Sequence, residues 1–150
     1  MTEHDYLAQA IRISEESVQA GGYPAGAVIV RGGEIIATGI SDGKRLHDAT
    51  SHAEIAAIRA AAVKLGERDI PDAVLYTSLE PCLMCYAACF WAHIPQIVFA
   101  CSRAKVSSKY YEGDHDISEL NNATQRRIKL IHVQGMEEEA LAVIQRWEKV

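Results

Sequence analysis

Two short stretches of this chain, His52-Ala53-Glu54 and Pro81-Cys82-Leu83-Met84-Cys85, place the strongest constraint on its fold. One histidine and two cysteines supply three ligands of the kind that zinc prefers, whereas a closed structural site needs a fourth protein ligand. The spacing offers no suitable fourth ligand, so we expect an open coordination position for water, with the Glu54 carboxylate nearby to move a proton. The fold must therefore bring two distant segments together around one metal ion.

The cysteine pair is expected at the start of a helix. Pro81 suits the first position of a helix, and residues three apart lie on one helical face, so Cys82 and Cys85 can bind one ion. Cys89 lies on that face too, but about 6 Å further along the axis. Thiolates that share one zinc ion are separated by no more than about 4.6 Å. We therefore predict that Cys89, like Cys101, is a buried apolar cysteine.

The histidine is expected at the start of a second helix. His52 and Glu54 are two residues apart and do not share a helical face, so both reach one pocket only if the helix begins about there. Thr50 and Ser51 are suitable N-cap residues at that place. Two helix N-termini would then point at the metal and stabilise both the thiolates and a bound hydroxide.

The remaining sequence alternates between helical and extended patterns. Apolar residues at helical spacing indicate helices, short runs of β-branched and aromatic residues indicate strands, and Gly32-Gly33 indicates a tight hairpin. Residues 102–122 are predicted as helical pieces and loop. Helices are predicted from residue 7 to just before Gly21, at 52–65, from the cysteines to about 93, and at 136–150; strands are predicted at 26–30, 34–38, 73–77, 96–100 and 128–133.

This alternation predicts one α/β domain over residues 1–150, with helices on both faces of one sheet. The length of 150 residues suits a single core, and no repeat or linker is evident. A net charge of −5 argues against a surface built to hold a phosphate backbone. No secretory signal and no apolar run of about 20 residues is present. We therefore expect a cytoplasmic protein without membrane contact, whose four cysteines include a metal-binding pair.

On these residues the chain resembles the zinc-dependent cytidine deaminase superfamily, whose nucleobase deaminases carry H-x-E…P-C-x-x-C. Tyr23–Val30, Asp48–Ile55 and Leu75–Cys85 extend the resemblance to the branch that holds guanine deaminases, fungal-type cytosine deaminases and tRNA adenosine deaminases. It runs from about Leu7 to Ala100 and more faintly to the C-terminus. The resemblance implies a three-layer α/β/α sandwich around a mixed five-stranded sheet, in a homodimer whose subunits complete each other's pockets.

The resemblance also implies roles for the motif residues. His52, Cys82 and Cys85 would hold zinc, and Glu54 would take a proton from the zinc-activated water and deliver it to a ring nitrogen. Glu54 would then pass a proton to the departing ammonia. A carboxylate that serves as both base and acid needs a pKa near the working pH, which burial supplies.

Four further positions are expected to contact substrate. Ser41 stands eleven residues before the zinc histidine, where the family usually has an asparagine that hydrogen-bonds the base. A hydroxyl cannot present the paired donor and acceptor of an amide, so this change bears on substrate choice. Trp91 falls where the branch carries an aromatic residue near the base, although packing in the core or a dimer interface is an alternative. Ala53 lies between two motif residues, and Asp114 lies in a segment that often reads the base. Ala25 replaces the usual phenylalanine of the Pro-Phe-Gly turn and is expected to widen the pocket.

Three functions stay open at this point. The leading hypothesis is hydrolytic deamination of a free aminated heterocycle, such as guanine, cytosine or a triazine analogue. The alternatives are a tRNA adenosine deaminase and a zinc-stabilised binding protein without catalysis. Residues 102–111 match poorly the lysine-containing stretch of the tRNA enzymes, so a nucleic acid is the less favoured partner.

Overall fold

A mixed five-stranded sheet forms the centre of the molecule in the computed structural model, which describes residues 1–150. The strand order is β2-β1-β3-β4-β5. β1 is antiparallel to both of its neighbours, whereas β3, β4 and β5 run parallel to one another. All five predicted strands and the mixed sheet are confirmed. The strands are β1 (Gly26–Arg31), β2 (Glu34–Ile40), β3 (Ala73–Leu79), β4 (Gln96–Cys101) and β5 (Lys129–His132).

Six α-helices surround the sheet: α1 (Glu3–Gln19), α2 (Gly43–Leu46), α3 (Ala53–Leu65), α4 (Leu83–Trp91), α5 (Ile117–Asn122) and α6 (Glu137–Glu148). The four long predicted helices are confirmed as α1, α3, α4 and α6. The one-turn helix α2 lies in a segment predicted as loop, and α5 lies in the mixed segment 102–122. None of these helices has the length and apolarity required to cross a membrane.

The helices pack on both faces of the sheet, as the alternating pattern predicts. On one face α3, α4 and α5 bury apolar side chains such as Ala57 and Tyr86 against the strands. On the other face α1 and α6 do the same with side chains such as Leu7 and Ile144. The side chain of Asn121 fastens α5 to the first face through three hydrogen bonds. Its amide oxygen accepts from the Tyr86 hydroxyl and from the backbone N–H of residue 128. Its amide nitrogen donates to the backbone carbonyl of residue 128.

The close packing of α3 against β2 depends on Gly39. A Cβ atom at this position would overlap the carbonyl oxygen of Ala53 and would lie 2.5 Å from the backbone nitrogen of Ala57. Only glycine leaves room for the helix backbone there. Gly39 therefore fixes the distance between the sheet and the first turn of α3.

Helices α3 and α4 begin one or two residues later than the sequence predicts. His52 is itself the N-cap of α3, so Thr50 and Ser51 precede the cap, and Cys82 is the N-cap of α4, so Pro81 also precedes it. Neither cap side chain hydrogen-bonds to its own helix. The expectation that Thr50 or Ser51 caps α3 was wrong, because it rested on the capping propensity of these residue types alone. In the structure the N-cap positions are occupied by His52 and Cys82, whose side chains face a shared site.

Candidate active site

Three potential metal ligands converge between the N-termini of α3 and α4. The Nδ1 atom of His52 lies 3.6 Å from Sγ of Cys82 and 3.5 Å from Sγ of Cys85, and all three ligand atoms lie within 4.8 Å of one another. Tetrahedral zinc with bonds of about 2.1 Å to nitrogen and about 2.3 Å to sulfur places these atoms about 3.6 Å apart. The residues therefore fit a zinc ion, and they form the single such group of three in the chain.

Local helix geometry explains how the cysteines meet. Cys82 is the N-cap of α4 and Cys85 is its third helical residue, which are the two positions whose side chains face each other in a capping box. The positive ends of two helix dipoles lie at the site and stabilise negatively charged ligands. Cys89 and Cys101 are both buried in the apolar clusters, as predicted.

The charges of the ligand side chains suit a cation. A hydrogen bond from Cys85, together with one from His52, lowers the pKa of Cys82 to about 4. The same contact between the thiols raises the pKa of Cys85. The hydrogen bond with Cys82 raises the pKa of His52. The Cys82 sulfur is therefore readily deprotonated, and a thiolate is the form that binds a divalent metal ion.

Glu54 is the buried carboxylate of the site. It occupies the second position of α3, and only 6% of the residue is exposed. Burial, with a smaller contribution from the charge of Cys82, raises the pKa of Glu54 to about 7. A group with a pKa near neutrality can both accept and release a proton at physiological pH.

A cavity of about 750 Å³ opens onto these residues. His52, Glu54 and Cys82 line it, and so do three positions that the sequence suggests for substrate contact or pocket shape, Ser41, Ala53 and Ala25. The volume lies in the range of ordinary small-molecule sites, about 300–1,000 Å³. The metal ligands, the buried carboxylate and a cavity for a small molecule thus share one location.

The Ser41 segment is held by α1. The backbone N–H of Ser41 donates to Oγ of Ser17 at 3.1 Å, and the Ser17 hydroxyl donates to the carbonyl of Tyr23 at 2.6 Å. Ser17 is fully buried and joins two lining segments. This role was not predictable from the sequence, since Ser17 stands in an otherwise regular helix and Ser41 is distant from it in the chain.

Two positions expected to contact substrate lie outside the cavity. Trp91 is 64% exposed at the end of α4, where its ring packs edge-on against Phe90. The Asp114 carboxylate is exposed and forms an ion pair with Arg103 at 2.6 Å. Asp114 borders a separate cleft of about 640 Å³.

A shared wall separates this cleft from the metal-site cavity. The Tyr111 hydroxyl donates to the carbonyl of Glu80 at 2.7 Å, and the Glu80 carboxylate accepts from the backbone N–H of Arg103 at 3.3 Å. Both Tyr111 and Glu80 line both spaces. These contacts fasten the segment after β4 to Glu80, at the end of β3, where that segment lines the metal-site cavity.

Several lining residues were not anticipated from the sequence. Glu112 borders the cavity from a left-handed backbone conformation with φ of 55°, which is uncommon for a residue other than glycine. Trp147 and Glu148, at the end of α6, also line the cavity. No local pattern marks them, because they reach the site only through the packing of the whole helix.

Comparisons with known proteins agree with this geometry. The sequence model of the cytidine and deoxycytidylate deaminase zinc-binding region matches residues 1–101. Guanine deaminase from Bacillus subtilis is 36% identical over 128 residues, which cover 85% of this chain and 82% of that protein. A tRNA-specific adenosine deaminase from Aquifex aeolicus is 35% identical over 100 residues, which cover 67% of this chain and 66% of that protein. An X-ray structure of guanine deaminase from Bacillus subtilis matches with a TM-score of 0.71 and 34% identity, covering 100% of this chain and 96% of that one.

Proposed function

We propose that this chain, which belongs to the zinc-binding cytidine and deoxycytidylate deaminase family, hydrolyses the amino group of a free aminated heterocycle such as guanine and releases ammonia. The observation that carries the proposal is the position of Glu54, a buried carboxylate in the same cavity as three metal ligands. The similarity to guanine deaminase extends over a larger part of the chain than the similarity to the tRNA enzyme, which supports a free base as substrate.

The residues of the site divide the chemistry between them. His52, Cys82 and Cys85 would hold a zinc ion, which supplies a Lewis acid that activates water at neutral pH. Glu54 accepts a proton from the attacking water and delivers it to the ring nitrogen beside the amino-bearing carbon. The water oxygen bonds to that carbon, and Glu54 then carries the proton of the new hydroxyl to the amino group, whose bond to carbon breaks as ammonia leaves and the carbonyl forms. The raised pKa of Glu54 suits both directions of transfer.

The substrate contacts follow from the lining residues. Ser41 and Ala53 border the cavity, and we propose that the Ser41 hydroxyl contacts the heterocycle where relatives use an amide. A hydroxyl has fewer hydrogen-bonding groups than an amide, so we expect a different preference among bases. Asp114 and Trp91 lie outside the cavity of their own chain. We therefore propose them as substrate contacts only in the cavity of a partner subunit.

A homodimer and a cytoplasmic location complete the proposal. Val63, Leu83 and Trp91 each expose a large apolar side chain on the neighbouring helices α3 and α4, and burial of such side chains favours association. All four cysteines are unpaired, which suits a reducing compartment. Light scattering of the purified protein tests the dimer, and a molecular mass near 16.5 kDa would contradict it.

The decisive experiment measures ammonia release by the zinc-loaded protein from a panel of bases, nucleosides and triazines. Glu54→Ala is expected to reduce turnover by about 10²–10⁴-fold while zinc remains bound, because general acid–base catalysis contributes about that factor. Glu139→Ala removes an exposed carboxylate of α6 and serves as the matched control. Release by Glu54→Ala at the wild-type rate would contradict the mechanism.

The tRNA-specific relative makes deamination of an anticodon adenosine the second candidate. It predicts salt-dependent binding of an anticodon stem-loop. Undetectable binding at low salt removes this candidate. Failure of both the panel and the stem-loop would instead support a zinc-stabilised binding protein.

A further inference from the structure

Helix α6 packs against the sheet along its middle, and its last turn borders the metal-site cavity. Its side chains Ala140, Val143 and Ile144 are buried against the sheet. One turn later Trp147 is half-buried and Glu148 is exposed, and both line the cavity. The packing of the apolar residues thus fixes where the last turn of the helix stands.

Trp147 belongs to a wall of three aromatic rings. Its ring centroid lies 5.4 Å from that of Tyr23 and 6.3 Å from that of Tyr110, and all three residues line the cavity. Burial, with a hydrogen bond to Glu148, raises the pKa of Tyr110 to about 12, so this hydroxyl stays neutral. Aromatic faces stack on planar heterocycles with little regard to which base is present.

The charged groups of the cavity are mostly negative. Four carboxylates, those of Glu54, Glu80, Glu112 and Glu148, line it, and Lys109 is the single lysine or arginine in the lining. Glu80 is paired with an arginine outside the cavity, and Glu54 is buried beside the metal ligands. Glu112 and Glu148 are exposed residues of the lining, so their carboxylates lie in solvent at the border of the cavity. An incoming anion would be repelled at this point.

We infer that the last turn of α6 is a specificity element of the cavity, in which Trp147 stacks on the planar substrate and Glu148, helped by Glu112, rejects anionic groups. The cavity then takes uncharged bases or nucleosides and excludes their 5′-phosphates. This inference rests on the proposed function and names the substrate class of that site.

Charge reversal at Glu148 tests the exclusion of phosphate. For the best uncharged substrate, we would measure kcat/KM and the inhibition constant of the corresponding 5′-monophosphate in wild type, Glu148→Gln and Glu148→Lys. Glu148→Lys is expected to tighten inhibition by the monophosphate about tenfold, with Glu148→Gln intermediate, and added salt should reduce the difference. Glu138→Lys makes the same charge change on an exposed residue at the far end of α6 and should leave inhibition within about twofold.

Replacement of Trp147 tests the stacking role. Trp147→Ala is expected to raise KM about tenfold and to leave kcat within about twofold, because the ring contributes to binding and not to the proton transfers. Trp147→Phe should retain most of the affinity. Trp147→Leu keeps apolar volume without an aromatic face, so it separates stacking from packing if the alanine variant folds poorly.

The experimental outcomes distinguish failure of this inference from failure of the proposed deaminase function on which it rests. If the wild type releases ammonia but Glu148→Lys leaves inhibition by the monophosphate unchanged, the specificity element is refuted and the deaminase function stands. The same conclusion follows if Trp147→Leu leaves KM unchanged. A wild-type preference for 5′-monophosphates or for an RNA stem-loop overturns the specificity element as well. Absence of ammonia from every substrate contradicts the proposed function itself.

Discussion

Replacement of Gly39 by alanine is expected to displace the helix that carries His52 and Glu54. The new Cβ would lie 2.5 Å from the backbone nitrogen of Ala57, whereas ordinary contacts begin at 3.4 Å, so α3 must move by at least about 0.9 Å. It would also overlap the carbonyl oxygen of Ala53. Backbone atoms cannot rotate away as a side chain can. Overpacking of this kind costs about 1–3 kcal/mol of stability, and a shift of about 1 Å at catalytic groups can reduce the rate about 10²-fold.

Urea unfolding and steady-state kinetics of the zinc-loaded protein test this expectation together. Gly135→Ala is the control for the substitution itself, because its Cβ meets nothing within 4 Å and a compatible Gly→Ala change stabilises by about 0.4–1 kcal/mol. Leu7→Ala is the control for lost stability. It creates a cavity in the layer opposite the metal site, at a cost of about 2–5 kcal/mol, and should keep its activity per folded molecule. A Gly39→Ala protein with wild-type stability and wild-type kcat/KM would refute the reasoning.

Three further predictions concern the metal, the core and the effect of pH. Cys82→Ala should lose bound zinc while Cys89→Ala retains it, as metal analysis of the purified proteins will show; equal metal contents would contradict the ligand assignment. Asn121→Ala should cost about 3 kcal/mol in urea unfolding, because it leaves buried hydrogen-bonding partners unsatisfied, whereas the exposed neighbour Asn122→Ala should cost little; similar values would argue against that network. In the metal-free protein the pKa of Glu54 is raised from 4.5 to about 7, so its contribution to stability is complete below pH 4.5 and declines as the pH rises through 7, by up to about 3 kcal/mol. Glu54→Gln should lack this decline, and identical pH profiles of unfolding for the two proteins would rule the contribution out.

The order of helices and strands followed from local patterns. The hairpin at Gly32-Gly33 was predictable because both glycines adopt the positive φ angles that such a turn requires. The helix limits were less accurate at α3 and α4. There the N-cap positions are occupied by His52 and Cys82, whose placement depends on a partner segment about 30 residues away.

Residue types and their spacing predict the candidate metal ligands His52, Cys82 and Cys85, the candidate catalytic carboxylate Glu54, and the alternation of strands and helices. These features are local, since they depend on residue type and on spacings of two to four residues. The outer part of the cavity depends on tertiary packing and could not be predicted from local patterns. The tertiary structure placed Trp147 and Glu148 at the site and left Trp91 and Asp114 outside it, because helix packing and the path of the chain after β4 are fixed by contacts between residues far apart in sequence.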